Sequence, residues 1–504
     1  MVKNIFNLLI RSKNLHPDKI FLRDLDKNFF FNFKDTVDFI LKFNNFLHSK
    51  GLKKQSKIVV IFENSILMSL LFLGITSTNR VFVPVNPDIG ILEFSKILKS
   101  SGAKYFIIDE KFKNKFKIFF KNRYVSIDNQ KKFIKKIIKE KPLKFDRKFL
   151  GLSQILYTSG STGNPKGVML THSSMMANLD GIEKSLNLKR FKNFMAITPL
   201  FHNGGQFIPT LLAIKTFGTS LPVPSKTSIS IFWEIVNEYC INYTLVMPTH
   251  LAYLLQLKKS SKKNQLLGIC CGGAKLDLKI QNKFEKKFSV KIAHNYGLTE
   301  ASSSVSSENF KQKKNLGSVG KPFFNNSVKI VNKNKYKNGL GEIIVRGKNI
   351  FNGYINNKKK TNEIIKKNWL YTGDLGCFDK KGNLYILDRK DSMVVVSGEN
   401  IFPNEIEQFS NLYNKIKLSA VIPVKDAITQ NKLILIYESK YKIKKENIME
   451  FLYNKISSYK IPKIIINCRE IGLKEIPKAS NGKILRKKLK NHIDDYFLST
   501  KKNV

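Results

Sequence analysis

Short apolar strands alternate with helix-like stretches near the start of the chain. Lys57–Phe62 and Val81–Asn86 are predicted strands, and Ile66–Ile75 between them is a predicted helix. Leu92–Ser100 continues the alternation as a helix, and Lys104–Asp109 continues it as a strand. Strands separated by helices of this length are typical of a parallel sheet covered by helices. This alternation predicts an α/β fold and leaves little room for an all-α or all-β one.

Later strands are predicted to end in polar or glycine-rich segments. In open α/β sheets, ligands bind at the carboxyl ends of the strands, so these segments mark a candidate site. The predicted strands are Phe194–Phe201 before His202, Tyr243–Met247 before a turn at Pro248-Thr249, Gln265–Cys271 before Gly272-Gly273-Ala274, and Val290–His294 before Asn295-Tyr296-Gly297-Leu298-Thr299-Glu300.

Two stretches that precede these strands are predicted to contain no strand. Residues 112–148 are rich in lysine and weakly patterned, so they are expected to form a solvated helix and a connection. Leu170–Leu186 is predicted as one helix that starts near Thr171.

The character of the sequence changes after residue 316. Short alternating segments with Gly-Asn and Asn-Gly turns predict a small antiparallel β region over residues 316–390. Arg389-Lys390-Asp391 marks the expected boundary of a compact α+β unit. We therefore predict a large N-terminal domain over residues 1–389, with parallel-rich sheets, helices and a small β region. A small mobile α+β domain is predicted over residues 390–504.

A glycine-rich loop follows a short apolar approach at Ile155–Tyr157. Glycines permit close backbone approach to a ligand, and hydroxyls and an ammonium group can hold phosphate oxygens. The loop lacks the Gly-Lys-Ser/Thr spacing of a Walker loop. Taken alone it fits either a phosphate-binding loop or a flexible surface loop. Its hydroxyl, lysine and glycine positions are Thr158, Ser159, Gly160, Ser161, Thr162, Gly163, Lys166 and Gly167.

The charge balance is strongly basic, with 88 Lys and Arg against 38 Asp and Glu in 504 residues and a formal net charge of +50. Such a balance occurs in proteins that bind nucleic acid or an anionic membrane surface. Here lysine greatly outnumbers arginine and is spread along the whole chain, whereas sequence-specific DNA readers rely on arginine. We interpret the excess as a coding bias, and we expect no specific nucleic-acid partner.

Five cysteines at no metal-like spacing, without a signal peptide, suggest a reducing, cytoplasmic location. The longest apolar run, Ile66–Ile75, is too short to span a bilayer, so no transmembrane segment is expected.

Taken together, the motifs resemble the adenylate-forming (AMP-binding) superfamily, which includes acyl-CoA synthetases, aryl-CoA ligases, luciferases and peptide-synthetase adenylation domains. Six motifs occur in the order of that superfamily, from Glu63-Asn64-Ser65 to Lys483-Ile484-Leu485-Arg486. The resemblance covers nearly the whole chain. It is strongest to acyl-CoA synthetases and aryl-CoA ligases, and it implies ATP, Mg²⁺ and coenzyme A as reactants.

The resemblance assigns the nucleotide site residue by residue. The loop from Thr158 to Lys166 would hold the β- and γ-phosphates. Gly272, Gly273 and Ala274 would line the adenine and acyl pockets. Asn295, Tyr296 and Gly297 would form the adenine site, with Tyr296 stacked on the base. Thr299 would contact the α-phosphate, Glu300 would hold Mg²⁺, Asp374 would accept hydrogen bonds from the ribose hydroxyls and Arg389 would assist there.

The resemblance places further roles in the C-terminal part. Lys483 would bridge the attacking carboxylate and the α-phosphate, although Asn481 stands where the family commonly has Ser or Thr. Asp391 matches the hinge position. The loop Ser397-Gly398-Glu399-Asn400 would approach the pantetheine arm of CoA, with Gly398 permitting close contact.

Three readings of the activity compete. The first is a ligase that joins a carboxylic acid to CoA, the second is a stand-alone adenylation enzyme that loads an acid onto a carrier protein, and the third is a non-enzymatic basic protein. Residues 201–207 contain no acidic side chain to pair with an α-ammonium group, which disfavours an amino acid substrate. In relatives that are CoA ligases, a Phe-His pair at Phe201-His202 lies near the acyl site, so CoA is the favoured acceptor and His202 a candidate catalytic residue.

The acid itself is left open. Fatty, aryl and small branched acids would all enter an apolar pocket, with a place in fatty-acid metabolism as one expectation. The expected partners are small molecules, and either a monomer or a homodimer is compatible with the sequence.

Overall fold

The computed structural model describes residues 3–120, 123–145, 149, 151–158, 165–190, 192–224, 229–257, 265–311, 315–332, 339–392, 394–396, 399–426, 430–456, 460–479, 482 and 484–501. The chain forms two compact units. The first comprises Met1–Leu276, Ile280–Val328 and Val345–Leu370, and the second comprises Asp277–Lys279, Lys329–Ile344 and Tyr371–Val504. The predicted boundary between residues 389 and 390 concerns a hinge, and it stays a prediction.

Up to the glycine loop, strands and helices alternate as predicted. The elements in chain order are α1 (Ile5–Leu15), β1 (Ile20–Arg23), β2 (Phe30–Asn32), α2 (Phe33–Ser49), β3 (Lys57–Ile61), α3 (Ile66–Ser77), β4 (Val81–Pro84), α4 (Ile91–Ser101), β5 (Tyr105–Asp109), α5 (Glu110–Phe116), β6 (Tyr124–Ile127), α6 (Gln130–Ile138) and β7 (Leu152–Thr158).

From the glycine loop to residue 331, the alternation continues and ends in short antiparallel strands. These elements are β8 (Lys166–Thr171), α7 (His172–Leu186), β9 (Asn193–Ala196), α8 (Asn203–Gln206), α9 (Leu212–Lys215), β10 (Thr219–Pro222), α10 (Phe232–Glu238), β11 (Tyr243–Val246), α11 (Pro248–Leu254), β12 (Gly268–Cys271), α12 (Leu278–Phe288), β13 (Lys291–Tyr296), β14 (Ser306–Ser307), β15 (Lys321–Pro322) and β16 (Asn326–Val331).

The remaining elements are mostly strands, followed by a small α+β arrangement. They are β17 (Gly341–Gly347), α13 (Lys358–Ile364), β18 (Ile365–Lys366), β19 (Trp369–Phe378), β20 (Leu384–Arg389), β21 (Val394–Val396), β22 (Glu399–Ile401), α14 (Pro403–Ser410), β23 (Leu418–Asp426), β24 (Gln430–Glu438), α15 (Lys445–Tyr453), β25 (Ile464–Asn467) and α16 (Arg486–Lys501).

Two parallel-rich sheets form the first unit. One has the strand order β6-β5-β3-β4-β7-β8 and is parallel except for the β7–β8 pair. The other has the order β15-β14-β13-β12-β11-β9-β10-β1-β2, with a parallel centre and antiparallel edges. Sheets of this kind are buried on both faces by helices, so their strands are continuously apolar. The predicted α/β class is confirmed.

Helix α3 shows why the apolar run of Ile66–Ile75 is a core helix. Ser65 caps it by accepting a hydrogen bond from Met68 N–H, and every residue of the helix is buried. A Cβ at Gly74 would lie 2.6 Å from the ring of Phe43, so glycine lets α2 and α3 approach closely. Among the helices of the described residues, none is both long and apolar enough to cross a membrane.

Three details of the predicted elements are wrong. Lys166–Thr171 is strand β8, so Leu170 does not belong to the helix; the helix begins at His172 with Thr171 as its cap, which agrees with the expected start near Thr171. Residues 112–148 include a strand, β6, which pairs in parallel with β5. Pro248 and Thr249 form the start of helix α11 and not the predicted turn, since proline suits the first position of a helix.

The second unit has the predicted α+β character. Strands β23, β24 and β25 form one sheet, with β23 antiparallel and β25 parallel to β24. Apolar clusters lie on both sides of this sheet, one including Ile406 and Ile448 of α14 and α15, the other including Leu489 and Ile493 of α16. Its helices therefore cover the sheet on both faces.

Candidate active site

The carboxyl ends of β12 and β13 bring two predicted motifs side by side. The strands are parallel neighbours, with Cys271 opposite His294. A Cβ at Gly272 would lie 3.1 Å from the backbone oxygen of Asn295, so the two motifs touch where the strands end. Gly273 adopts φ +83°, a left-handed conformation that favours glycine, and Ala274 is exposed beside it. The predicted adenine-site residues are therefore contiguous.

Asn295 lies where β12 and β13 end, and its side-chain amide has a hydrogen-bond partner on one atom only. Its Oδ1 accepts a hydrogen bond from Ser304 Oγ at 3.0 Å. Its Nδ2 is buried and has no hydrogen-bond partner among the described residues. A buried donor without a partner is costly, and a ligand acceptor would satisfy it. Tyr296, the next residue, is 9% exposed.

The chain after Tyr296 turns back so tightly that only glycine fits at position 297. A Cβ there would lie 1.8 Å from the backbone oxygen of Ser303. The returning chain is held by Val305 N–H, which donates to Tyr296 O at 2.8 Å. This return fixes the backbone of the loop that carries Thr299 and Glu300.

Asn178 of α7 holds the same loop from the side. Its buried amide donates to Ala301 O at 3.2 Å and to Ser304 O at 2.6 Å, and it accepts from Ser304 N–H at 3.3 Å. Nothing in the sequence near Asn178 marks it as a site residue. Only the tertiary structure brings α7 to the loop.

Glu300 lies in a short 3₁₀ turn, Thr299–Ala301, and is half-buried with Thr299. Its backbone oxygen accepts from Phe351 N–H at 2.9 Å, and its Oε1 accepts from the hydroxyl of Tyr354 at 2.6 Å. Within the part of the chain that the structure describes, no hydrogen bond or ion pair reaches Oε2. One carboxylate oxygen is thus committed to the protein, and the other is left for a ligand.

Thr158 and Lys166 face each other at the end of the β7–β8 pair, where the glycine loop begins and ends. The Lys166 ammonium lies 5.8 Å from the centre of the Tyr354 ring, a distance compatible with a cation–π contact. Lys166, at the end of the loop, and Glu300 therefore contact the same tyrosine, which sequence reasoning missed. In the sequence, Tyr354 is marked only by the preceding Gly353.

His202 caps helix α8 without a side-chain cap bond, and its ring lies 4.7 Å from that of Phe201. The side chain reaches solvent, yet protein surrounds it on most sides. This desolvation lowers the pKa of His202 below its usual value and so favours the neutral ring. The neighbouring Asn203 donates to Ser302 O at 2.7 Å, which ties this segment to the loop after Glu300.

In the second unit, Asp374 and Arg389 lie directly opposite each other on β19 and β20. Arg389 Nη1 donates to Asp374 Oδ1 and to Thr372 O, each at 3.0 Å. Gly373, with φ +72°, leaves room for the guanidinium, which lies 3.1 Å from where its Cβ would be. The structure thus brings together the two residues predicted at the ribose.

Several predicted residues lie outside the described part of the chain. They are Ser159, Gly160, Ser161, Thr162 and Gly163 of the glycine loop, Gly398 of the CoA loop, and Lys483. Their roles stay predictions, as does the hinge role of Asp391.

The residues at Glu300 suit a magnesium ion. Mg²⁺ prefers carboxylate oxygens and is commonly held by one or two of them together with substrate phosphates. Oε2 of Glu300, which no hydrogen bond or ion pair of the described residues reaches, is an oxygen of this kind. Among the described residues, no group of three or more His, Cys, Asp or Glu side chains is arranged for a metal, so a cage made by the protein alone is not part of the described structure.

Comparison with known proteins identifies the family. The model of the AMP-binding enzyme family matches residues 9–355. A 2-succinylbenzoate–CoA ligase of Bacillus cereus is 26% identical over 505 residues, covering 98% of this chain and 100% of the relative.

Two solved structures share the fold. ATP-bound MatB from Rhodopseudomonas palustris has a TM-score of 0.88 and 21% identity, covering 98% of this chain and 100% of that one. O-succinylbenzoate coenzyme A synthetase (MenE) from Bacillus subtilis, in complex with ATP and magnesium ion, has a TM-score of 0.81 and 23% identity, covering 96% and 99%. The resemblance read from the motifs is confirmed: the chain belongs to the AMP-binding enzyme family.

Proposed function

We propose that this protein is an ATP-dependent carboxylic acid–CoA ligase. In the first step, a carboxylate oxygen attacks the α-phosphorus of ATP, forming acyl-AMP and releasing pyrophosphate. In the second step, the thiolate of CoA attacks the acyl carbon, forming the thioester and releasing AMP. The observation that carries the proposal is the joining of Glu300, through Tyr354, to the strand that leaves the glycine loop.

The first unit supplies the nucleotide site in this proposal. Gly272 and Tyr296 would flank the adenine at the adjoining ends of β12 and β13, and the buried Asn295 Nδ2 is a donor still lacking a partner among the described residues. Thr299 would donate to the α-phosphate. The glycine loop from Thr158 to Lys166 would hold the departing pyrophosphate. Magnesium held by Glu300 would neutralise phosphate charge during the attack.

Asp374 and Arg389 would bind the ribose. A carboxylate can accept several hydrogen bonds, and Arg389 donates one to Oδ1 of Asp374. The bond to Arg389 keeps the carboxylate oriented on β19. A fixed acceptor loses little entropy on binding, which favours tight recognition.

Lys483 would drive the first step. The attacking carboxylate and the α-phosphate are both anions, so part of the barrier is electrostatic repulsion. An ammonium about 4 Å from each, at an effective dielectric of 20, contributes roughly 4 kcal/mol before desolvation. Because the residue is needed only while these two anions react, its loss should spare the second step.

The second step requires a different set of groups at the same acyl carbon. We propose that the unit carrying Lys483 turns about Asp391, removes the lysine and presents the loop at Gly398 to the pantetheine arm. The neutral His202 would lie near the acyl and thiol groups, where an uncharged imidazole can accept a proton.

The first acid to test is 2-succinylbenzoate, because the curated relative spanning the whole chain is named for its CoA ligation. The expectation of a role in fatty-acid metabolism gains no support from that relative. A fatty acid, a benzoate and a short dicarboxylate complete a useful panel, since the sequence left the class of acid open.

Pyrophosphate release measured across this panel, with and without CoA, tests the proposal. CoA-dependent formation of AMP and thioester with at least one acid is the expected result. Pyrophosphate release that responds to a carrier protein and not to CoA would favour the alternative, a stand-alone adenylation enzyme. No AMP formation with any acid in the presence of CoA would count against the ligase.

A further inference from the structure

The chain from residue 351 to 355 runs along β8, the strand that leaves the glycine loop. Val168 and Tyr354 face each other in an antiparallel bridge. Three backbone hydrogen bonds hold this added segment: Asn352 N–H to Met169 O at 2.8 Å, Met169 N–H to Gly353 O at 3.1 Å, and Ile355 N–H to Gly167 O at 2.8 Å. Tyr354 is therefore fixed relative to the base of the loop by bonds on both sides of it.

The same segment also holds Glu300 at two points. Phe351 N–H donates to the backbone oxygen of Glu300 at 2.9 Å, and the hydroxyl of Tyr354 donates to its Oε1 at 2.6 Å. Tyr354 is 6% exposed, and its backbone N–H donates to Thr361 Oγ1 at 2.9 Å. A buried, doubly anchored tyrosine holds its hydroxyl in one place, so the carboxylate it contacts is oriented as well.

We propose that Tyr354 is a positioning residue for Glu300, holding the carboxylate in the orientation that binds the divalent cation of the nucleotide. The hydroxyl occupies Oε1, and Oε2 is left as the metal ligand. This inference rests on the proposed function, because it assumes that Glu300 binds the cation. The motifs assign Tyr354 no role.

In this proposal, Tyr354 orients a metal ligand without contacting the metal itself. A glutamate has three side-chain torsions, and a ligand that must be ordered on binding loses affinity. A hydrogen bond to a charged acceptor is stronger than a neutral one, and removal of such an outer partner typically lowers metal affinity by about 10- to 100-fold. Tyr354 also presents its ring to Lys166, so the metal ligand and the phosphate loop share one support.

The test compares two buried tyrosines that have similar surroundings. Tyr354→Phe removes only the hydroxyl that contacts Glu300. Tyr239→Phe is the matched control, because Tyr239 is 7% exposed, its hydroxyl donates to Leu25 O, and the Lys27 ammonium lies 5.8 Å from its ring centre. Both variants lose one buried tyrosine hydroxyl beneath a lysine.

Three measurements are made on the full-length protein. The first is direct binding of Mn²⁺ in the presence of a non-hydrolysable ATP analogue, measured by electron paramagnetic resonance. The second is the Mg²⁺ concentration giving half-maximal pyrophosphate release with an accepted acid. The third is urea unfolding.

Tyr354→Phe is expected to weaken Mn²⁺ binding and to raise the Mg²⁺ requirement by about 10-fold. Tyr239→Phe should match the wild type in both measurements, although it also loses one buried hydroxyl and some stability. Thioester formation from a preformed acyl-adenylate should be unchanged in Tyr354→Phe, since that step uses no ATP-bound metal.

A cycle with Glu300→Gln completes the test. In that background, Tyr354→Phe should cause no further loss of Mn²⁺ binding, because the ligand it positions has already been removed. Unchanged Mn²⁺ binding in Tyr354→Phe, or equal loss of both half-reactions, overturns the inference. Failure of the ligase proposal is distinguishable, because the wild type would then bind Mn²⁺ and the analogue and activate no acid with CoA.

Discussion

Arg389 donates a hydrogen bond to the Asp374 carboxylate at 3.0 Å, across two antiparallel strands on which the residues are direct partners. The side chain of Asp374 is 12% exposed and that of Arg389 is 53% exposed. The carboxylate is therefore protected, whereas the cation that orients it remains open to solvent. Exposed pairs contribute little to folding, so the value of this pair lies in orientation.

Asp374→Asn is expected to raise the KM for ATP by roughly 10-fold or more, because a charged acceptor for the ribose hydroxyls becomes a neutral one. Its free energy of unfolding should change by less than about 1 kcal/mol, since Arg389 is half exposed. Steady-state kinetics with varied ATP check the first value, and urea unfolding checks the second. Asp379→Asn, in the turn between β19 and β20, is the control, and an equal rise in KM there would contradict a specific ribose contact.

Lys483→Ala should lower acyl-adenylate formation by at least roughly 10²-fold, the scale seen when one preorganised charge-stabilising donor is removed. The variant should still convert a preformed acyl-adenylate to the thioester. Pyrophosphate release and thioester formation, assayed separately, give the comparison. Equal loss of the two steps would argue against alternation of the C-terminal unit.

Gly297→Ala should impair adenylation severely, because the added Cβ would lie 1.8 Å from Ser303 O and would push the Thr299–Glu300 loop aside. Overpacking of this kind costs about 1–3 kcal/mol in stability. Gly90→Ala is the matched control, since nothing lies within 4 Å of its Cβ position. Pyrophosphate release and urea unfolding of both variants provide the data, and full activity in Gly297→Ala would show that the loop can shift without consequence.

His172 predicts an acid-sensitive stability. Its ring is 4% exposed and packs edge-on against Phe149, and burial lowers its pKa from 6.5 to about 4. Between those values the unfolded chain binds a proton that the folded chain does not, so stability falls as pH falls. The loss attributable to this residue between pH 7 and pH 4 is about 3 kcal/mol.

Urea unfolding at pH 7 and pH 4.5 checks this expectation. His172→Leu should show a smaller loss of stability on acidification than the wild type, and His48→Gln, at an exposed position, should behave as the wild type does. Identical pH dependence in all three proteins would mean that other groups account for the acid sensitivity.

The net charge of +50 predicts that any nucleic-acid binding is non-specific and sensitive to salt. A purely electrostatic complex loses affinity by about 10³- to 10⁵-fold between 50 and 200 mM salt. Fluorescence anisotropy with a DNA duplex and an RNA hairpin at both salt concentrations would measure this. Tight, sequence-dependent binding that survives the higher concentration would revive a nucleic-acid role.

The sequence predicted those parts of the fold that local patterns control. The β3–α3–β4 alternation and the helix start at Ser65 are apparent from periodicity and capping chemistry. Strand β8 (Lys166–Thr171) was missed because it pairs with β7, on the other side of the glycine loop. Its short apolar run also continues directly into the next helix. Pairing of that kind is decided by tertiary contacts, which a local pattern does not contain.

The residues of the candidate site fall into the same two groups, those in local motifs and those found only through tertiary contacts. Gly272, Tyr296, Glu300 and Asp374 lie in motifs, and the family resemblance assigned them roles that stay predictions. Asn178 and Tyr354 act through hydrogen bonds to segments over 50 positions away in the chain, at Ser304 and Glu300. Nothing in their immediate neighbours indicates this, because either residue type is common on a helix or beside a turn.

The tight return of the chain at Gly297 has a consequence for engineering. A loop whose path leaves 1.8 Å for a Cβ, and which an amide from another helix clamps, cannot be transplanted as a short peptide. The conformation of this loop depends partly on α7. An exchange of residues 295–305 with a relative should therefore preserve the loop conformation only if Asn178 or its equivalent is exchanged as well. Chimeras that alter the acid-binding segments and keep this loop with its helix should therefore retain nucleotide chemistry while changing the acid accepted.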